Sequence, residues 1–236
     1  MSYFAIKIIA LITMFIDHLG YILLNNNESM RIIGRISFPL ICFLLVNGYF
    51  HTKDKVKYLV RMTVFAFLSE PCFDFSSYMC VNMYKQNVFF TLVLGLLCLM
   101  ATEKYIGTLV DKIKAIPQII SIPVGCISIL SVFMFWNVLA GGNYGWYGIL
   151  LIYLFYWTYG DSERNKTYMA IALAIANVMF AFVKGNFIQM YSILAIPVIA
   201  LFKEKKIEVS KRTKIICYVF YPVHLLLLGL IRFIIM

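Results

Sequence analysis

Apolar residues in this chain come in long runs, and few polar residues interrupt them. Phe4 to Leu24 is almost wholly apolar, and ~20 residues of helix suffice to cross a bilayer. Further runs follow over roughly 32–51, 58–78, 88–102, 117–139, 144–160, 168–183, 188–202 and 214–235. This pattern predicts an all-α fold, a polytopic membrane helical bundle of about nine transmembrane helices in a single domain over 1–236. Several runs are shorter than ~20 residues and are expected to borrow interfacial residues. Segment 103–116 alternates charges with apolar residues at helical spacing, which predicts a short amphipathic surface helix. There is no internal repeat, low-complexity tract or Ser/Gly linker in the sequence.

Composition agrees with that pattern. The chain is 62% hydrophobic and 14% charged, against ~45–50% and ~25% for soluble domains. Nine short-looped spans leave no room for a soluble domain. The first run holds Lys7 and Asp17-His18 and lacks a small-residue cleavage site, so an uncleaved first helix is expected rather than a signal peptide. The six cysteines at 42, 72, 80, 98, 126 and 217 are scattered, with no CxxC pair. They predict neither a disulfide nor a metal site.

The net charge of +10 invites a nucleic-acid reading, but the basic residues have a simpler pattern. Lys53, Lys55, Lys57, Arg61, Lys104, Lys112, Lys114, Arg164, Lys166, Lys203, Lys205, Lys206, Lys211, Arg212 and Lys214 fall in alternate loops or at their edges. These are 15 of the 21 Lys and Arg residues, all on the side shared with the N-terminus. The opposite loops offer little beyond Arg31, Lys85 and Lys184. The positive-inside rule then puts the N-terminus in the cytoplasm, and the composition suggests the plasma membrane as the location. Membrane lipids, and no nucleic acid, are the expected surroundings. The outer loops carry Asn25-Asn26-Asn27 and a Gly141-to-Tyr147 stretch rich in Gly, Tyr and Trp. The second reads as interfacial aromatics or as a loop over an outward-facing substrate pocket.

The chemistry lies where polar residues interrupt the runs. At about 1.5 Å rise per residue, Asp17 lies roughly 20 Å deep, Glu70 roughly 18 Å, Asp74 roughly 24 Å and His224 roughly 15 Å from the cytoplasmic side. Arg31 and Arg35 sit at the outer end of the second run. Ionisable groups at such depth are costly and mark either a working site or a buried ion-pair network. Arg31 and Arg35 are i,i+4, as are Glu70 and Asp74, and Tyr221 and His224 are i,i+3, so each pair shares a helix face. Asp17 and His18 are adjacent and point about 100° apart. Asp17 is expected to pair with an arginine of the second run and leave His18 facing a cavity. Pro39 and Pro71 each free a backbone carbonyl and predict kinks. His51, Lys53, Lys55, Lys57 and Arg61 form a cytoplasmic basic rim, suited to lipid headgroups or to the phosphates of a cytosolic donor.

These residues also carry a resemblance. Lys7-Ile8-Ile9-Ala10, Thr13-Met14, Asp17-His18-Leu19-Gly20, Arg31-Ile32-Ile33-Gly34-Arg35-Ile36-Ser37-Phe38-Pro39, Asn47-Gly48-Tyr49, His51-Thr52, Tyr58-Leu59, Arg61, Ser69-Glu70-Pro71 and Asp74 follow one another in a pattern that resembles the TraX family. Tyr218-Val219-Phe220-Tyr221-Pro222-Val223-His224-Leu225 is similar to that family's C-terminal motif. The resemblance is dense over the first ~75 and last ~20 residues. It implies an acetyltransferase using acetyl-CoA, since the family is associated with N-terminal acetylation of conjugative pilin, and it implies activity class better than acceptor.

The expected mechanism has acetyl-CoA dock on His51, Lys53, Lys55, Lys57 and Arg61 and thread its arm into the bundle. His18 acts as general base or transient acyl carrier, with Asp17 and Glu70 orienting or polarising the site. Arg31 and Arg35 stabilise developing charge or hold the acceptor, a peptide, glycan or lipid, and Asp74, Tyr221 and His224 complete its site. The alternative is a proton-coupled transporter or flippase built on the same relay, which the missing internal repeat disfavours.

Overall fold

The computed structural model describes residues 1–78, 85–112, 118–185, 187–203 and 210–235. Its described residues form helices: α1 (Tyr3–Ile22), α2 (Glu28–Gly34), α3 (Ser37–His51), α4 (Lys55–Tyr78), α5 (Val88–Lys112), α6 (Gln118–Leu139), α7 (Gly145–Thr158), α8 (Glu163–Lys184), a 3-10 turn (Ile188–Leu194), α9 (Ala195–Ala200) and α10 (Lys211–Ile235). Side-chain caps set several starts. Ser2 accepts from Ala5 N–H at 3.2 Å, Asn27 from Met30 N–H at 3.2 Å, and Ser162 from Asn165 N–H at 3.1 Å. Gly185, at φ +62°, closes α8 by donating to Ala181 O at 2.8 Å.

The expected helical bundle is present, but the expected nine spans are not. Among the described residues six helical stretches are long and apolar enough to cross a membrane: Tyr3–Ile22, Glu28–His51, Val88–Thr108, Ser121–Leu139, Glu163–Lys184 and Ile215–Ile235. The protein is a multi-pass membrane protein. The other three runs fall short for separate reasons. Helix α4 carries Lys55, Lys57, Arg61, Glu70 and Asp74 and so lacks a long uncharged window. Helix α7 has 14 residues, and Tyr147 through Tyr153 are buried in succession, so its apolar surface meets protein instead of lipid. The run 188–202 splits into the 3-10 turn and a six-residue helix. The expected surface helix over 103–116 is instead the continuation of α5 to Lys112, and Lys114, Lys205, Lys206 and Cys80 lie outside the described residues.

Helix α7 occupies the middle of the bundle, packed by α3, α5, α6 and α8, while α10 packs on α1 and α4. Helix α6 turns a broad apolar face outward, with Ile127, Phe135 and Leu139 more than 60% exposed. Such a face suits lipid and not water. At one end of the bundle Lys203 N–H donates to Met1 O at 3.0 Å and Lys55 binds Glu103 at 2.5 Å. There Lys7 and Arg61 lie over Tyr218 at 4.9 and 5.8 Å. At the other end Arg232 donates to Asn25 at 3.2 Å and Gln86 N–H to Gly141 O at 3.0 Å. The first is the basic end. The second holds the turns around α2, α7 and the 3-10 segment.

Candidate functional site

The site begins where α1 meets α2. Asn25 and Asn26 take positive φ (49° and 62°), and this tight turn folds α2 back along the end of α1. Asn27 N–H then donates to Gly20 O at 3.0 Å. The second run does not continue straight into α3. It breaks after Gly34, so the pair Arg31 and Arg35 faces α1 on a short separate helix. Pro39, in the first turn of α3, cannot donate back to Arg35 O, which favours that break. Gly34 is needed there: a Cβ at this position would overlap the Asp17 carboxylate.

Asp17 binds both arginines. Arg31 Nη1 donates to Oδ2 at 2.6 Å, and Arg35 Nη2 donates to Oδ1 at 2.7 Å and Oδ2 at 3.0 Å. Charge-assisted bonds of this length are the strong kind. Arg35 is further held by Arg31 O at 3.2 Å and Gln189 Oε1 at 3.3 Å. Gln189 Nε2 donates to the Tyr147 hydroxyl at 3.3 Å, which donates to Asn177 Oδ1 at 2.8 Å. Thus one polar network ties α1, α2, the 3-10 turn, α7 and α8 together. The pairing expected for Asp17 is present, and it involves two arginines.

His18 points away from that network and meets α10. Its Nδ1 is 2.7 Å from His224 Nε2, and the two rings stack at 5.0 Å with 21° between planes. His224 Nδ1 is in turn 2.7 Å from Phe220 O. A carbonyl only accepts, so His224 Nδ1 must carry hydrogen. In the neutral ring its Nε2 then bears the lone pair, and His18 Nδ1 must be the donor between them. By elimination the unprotonated nitrogen of neutral His18 is Nε2, which has no hydrogen-bond partner among the described residues. Tyr221 lies edge-on to His18 at 6.2 Å and to His224 at 5.7 Å, and Phe220 stacks on His224 at 4.9 Å.

Three voids lie near His18, which lines two of them. A cavity of about 680 Å³ is walled by Asp17, His18, Arg31, Arg35, Tyr144 and Trp146, among others. A small space touched by Met14, Asp17, His18, Tyr144 and Tyr221 adjoins it. Met14 and Tyr221 also line a narrow, mostly apolar shaft of about 100 Å³ that reaches Tyr3, Lys7, Tyr58 and Tyr218 at the basic end. His18 therefore stands where a shaft from one end approaches a cavity at the other. Residues 141–146 wall the cavity. Asn137 shapes it by donating to Gly145 O at 2.5 Å and accepting from Thr91 at 3.3 Å. Tyr144 is fixed by stacking on Phe38 at 3.5 Å.

Other expected residues lie elsewhere. The Glu70 carboxylate accepts from the Asn87 backbone N–H at 3.1 Å and from the Asn87 side-chain amide. Asn87 caps α5 by accepting from Phe89 N–H at 2.9 Å. Glu70 thus ties α4 to the start of α5. Asp74 is exposed on α4 and lines none of the three voids. In the basic rim, Lys55 is held by Glu103 and lies over Tyr49 at 4.3 Å, and Lys57 pairs with Asp54 at 3.2 Å. Lys53 is exposed, and His51 Nδ1 donates to Asn47 O at 2.8 Å. Arg61 lies over Tyr58 and Tyr218, two walls of the shaft. Gln189, Tyr144, Lys85 and Lys184 line the cavity without having been assigned to a site by sequence reasoning. A glutamine opening an apolar run and two lysines on the basic-poor side were the available signals.

The TraX protein family matches residues 2–232. The chain belongs to the TraX family. Among relatives of this TraX protein, "Probable fimbrial assembly protein FimC, serogroup H1" of Dichelobacter nodosus is 38% identical over 111 residues, 42% of this chain and 46% of that protein. "Uncharacterized protein RP591" of Rickettsia prowazekii (strain Madrid E) is 43% identical over 56 residues, 23% of this chain and 22% of that protein. The chain spans less than half the length of either relative. No solved structure matches it.

Proposed function

We propose that this TraX-family protein is an acyl-CoA-dependent acyltransferase of the plasma membrane, with acetyl-CoA as donor and the basic end on the cytoplasmic side. The observation that carries the reading is His18, which lines the large cavity and the small space next to the shaft and whose bond to His224 leaves Nε2 as its basic nitrogen. Lys7 and Arg61 flank the shaft mouth and suit the donor's phosphates. A narrow apolar shaft suits a thin, uncharged thioester arm.

The acceptor enters the large cavity and its nucleophilic hydrogen goes to His18 Nε2 as the nucleophile attacks the thioester carbonyl. Nδ1 of the resulting imidazolium keeps its hydrogen bond to His224, which shares the developing charge. Arg31 faces the cavity and stabilises the carbonyl oxygen as it gains charge. Collapse breaks the C–S bond, and the thiolate takes the proton back from His18. Asp17 holds the two arginines in place and exchanges no proton.

The test is release of free CoA from acetyl-CoA by the purified protein in detergent, with mixed peptide, glycan and lipid acceptors. His18→Ala is expected to lower turnover by about 10²-fold or more, the usual contribution of a positioned general base. Absence of CoA binding and release in every mixture, with proton-coupled solute flux in liposomes, would overturn the reading in favour of a transporter.

A further inference from the structure

Four residues line both the shaft and the small space beside His18: Met14, Ile41, Val88 and Tyr221. Three of them bring apolar side chains to this junction. The fourth carries a hydroxyl, and Tyr221 Oη is buried without a hydrogen-bond partner among the described residues. Of the buried side-chain polar groups in that condition, it alone stands in a wall of the three voids. An unpaired hydroxyl in an apolar wall costs stability that a phenylalanine of the same shape would not. The ring is already held by packing, edge-on to Phe89 at 5.1 Å and to His18 at 6.2 Å. Val88, the first residue of α5, acts on the hydroxyl only through its backbone N–H, which donates and so leaves the phenolic hydrogen unclaimed. Tyr221 follows Tyr218 by three positions on α10, and both line the shaft, Tyr221 about 4.5 Å further along the helix axis from the basic end.

We infer that Tyr221 donates its hydroxyl hydrogen bond to the sulfur of the donor thioester and stabilises that sulfur as the C–S bond breaks. This rests on the acyltransferase reading, with the donor's arm in the shaft and its carbonyl carbon beside His18. A thiolate departing into the shaft has left water behind, and apolar surroundings disfavour the charged form. Among the four side chains of the junction, Tyr221 supplies the one hydrogen-bond donor. A hydrogen bond to an ionised sulfur is stronger than one to the neutral thioester, so the contact favours the transition state over the bound donor. In the step, the acceptor's nucleophilic hydrogen goes to His18 Nε2 and the nucleophile bonds to the carbonyl carbon. The C–S bond then breaks, with its electron pair remaining on sulfur. Tyr221 keeps its own proton and holds the thiolate until His18 returns the acceptor's proton to it. Arg31 meets the carbonyl oxygen from the cavity, so the two charges that develop on the thioester have separate partners.

The contact can be read from binding, without chemistry. The intact protein in neutral detergent is titrated calorimetrically with CoA and with desulfo-CoA at about pH 9, where the CoA thiol is largely ionised. The ratio of the two affinities is expected to be about tenfold greater in the wild type than in Tyr221→Phe, the size of one hydrogen bond to a charged group. The variant is expected to melt no lower than the wild type, since the substitution breaks no hydrogen bond of the unliganded protein. An equal ratio in both proteins, or a lower melting temperature with both affinities reduced alike, would overturn the inference and leave Tyr221 as packing. In turnover, Tyr221→Phe is expected to lower kcat for acetyl-CoA about tenfold at constant KM. The loss should shrink with an acetyl thioester whose thiol is made more acidic by fluorine on the neighbouring carbon, because that sulfur leaves with less help. An equal loss with both donors would place the hydroxyl on the carbonyl oxygen and overturn the inference. Sulfur-dependent binding without turnover would support the contact while removing the acyltransferase reading. Turnover at the wild-type rate in Tyr221→Phe would keep that reading and remove this one, and absence of CoA binding would remove both.

Discussion

The two ends of the bundle use charge in different ways. At the basic end, the ion pairs Lys55–Glu103 and Lys57–Asp54 stay in reach of water: Lys55 and Glu103 each keep 34% side-chain exposure, and Lys57 keeps 86%. At the cavity end, Asp17 keeps 10%, Arg35 12% and Arg31 22%, and the three form one network. The basic end can trade one lysine for another because water screens each charge. The cavity end cannot, because each charge removed from water depends on the others for its solvation. The comparison teaches that the same residue types give a surface for attraction at one end and a fixed geometry at the other.

The largest difference is expected from removing one anion at each end. Asp17→Ala leaves two buried guanidinium groups together, and breaking a buried pair typically costs about 3–5 kcal/mol. Glu103→Ala exposes one half-solvated lysine, and a pair of that kind is typically worth about 1 kcal/mol or less. Thermal unfolding in one detergent measures both, and similar losses would erase the distinction between the ends.

Next is His224→Ala, which removes the acceptor of the His18 Nδ1 hydrogen bond. Turnover is expected to fall about tenfold, equivalent to about 1.4 kcal/mol, with a displaced pH–rate profile. His224→Gln, whose amide oxygen can still accept that bond, should recover part of the rate. An unaltered profile in both variants would leave His224 as packing alone.

A smaller effect separates shaft mouth from rim. Arg61→Ala is expected to raise the KM for acetyl-CoA by about fivefold, on the order of 1 kcal/mol for one cation facing phosphates, and to leave kcat nearly constant. Lys53→Ala should change it less, and the reverse order would move the donor's phosphates outward along the rim.

The smallest concerns Asp54, which opens α4 by accepting from Lys57 N–H at 2.9 Å. That bond, with help from the Lys57 ammonium, holds its carboxyl below the usual carboxylate range. A depressed folded value stabilises the fold above the unfolded pKa, and the stabilisation disappears as pH falls through the folded value. Asp54→Ala should therefore lower the melting temperature slightly at neutral pH, and the gap from wild type should close in acid. A gap that persists in acid would point to helix propensity instead of the cap.

How much of this was readable from residue order follows from range. The pairing of Asp17 with the arginines was readable, because an i,i+4 pair on a nearby helix and a costly carboxylate limit the choices. The clustering of His51, Lys53, Lys55, Lys57 and Arg61 was readable because residues so few positions apart stay at one end of the bundle. The span count was not: Tyr147 to Tyr153 is an apolar run whether lipid or protein surrounds it, and packing by four helices made it a core. The partner of Glu70 was not readable either: depth alone put it near His18, and the turn before α5 brought Asn87 to its carboxylate.

Residue order thus settled that this chain builds apolar helices, which stretches are too polar to be indifferent, and on which side most cations gather. These follow from local cost and helical period. The His18–His224 bond, the free Nε2 it leaves, and the presence of Arg31, Lys85 and Lys184 around one cavity came from packing. The two histidines are 206 positions apart, and no local rule records which faces of two helices meet across a bundle.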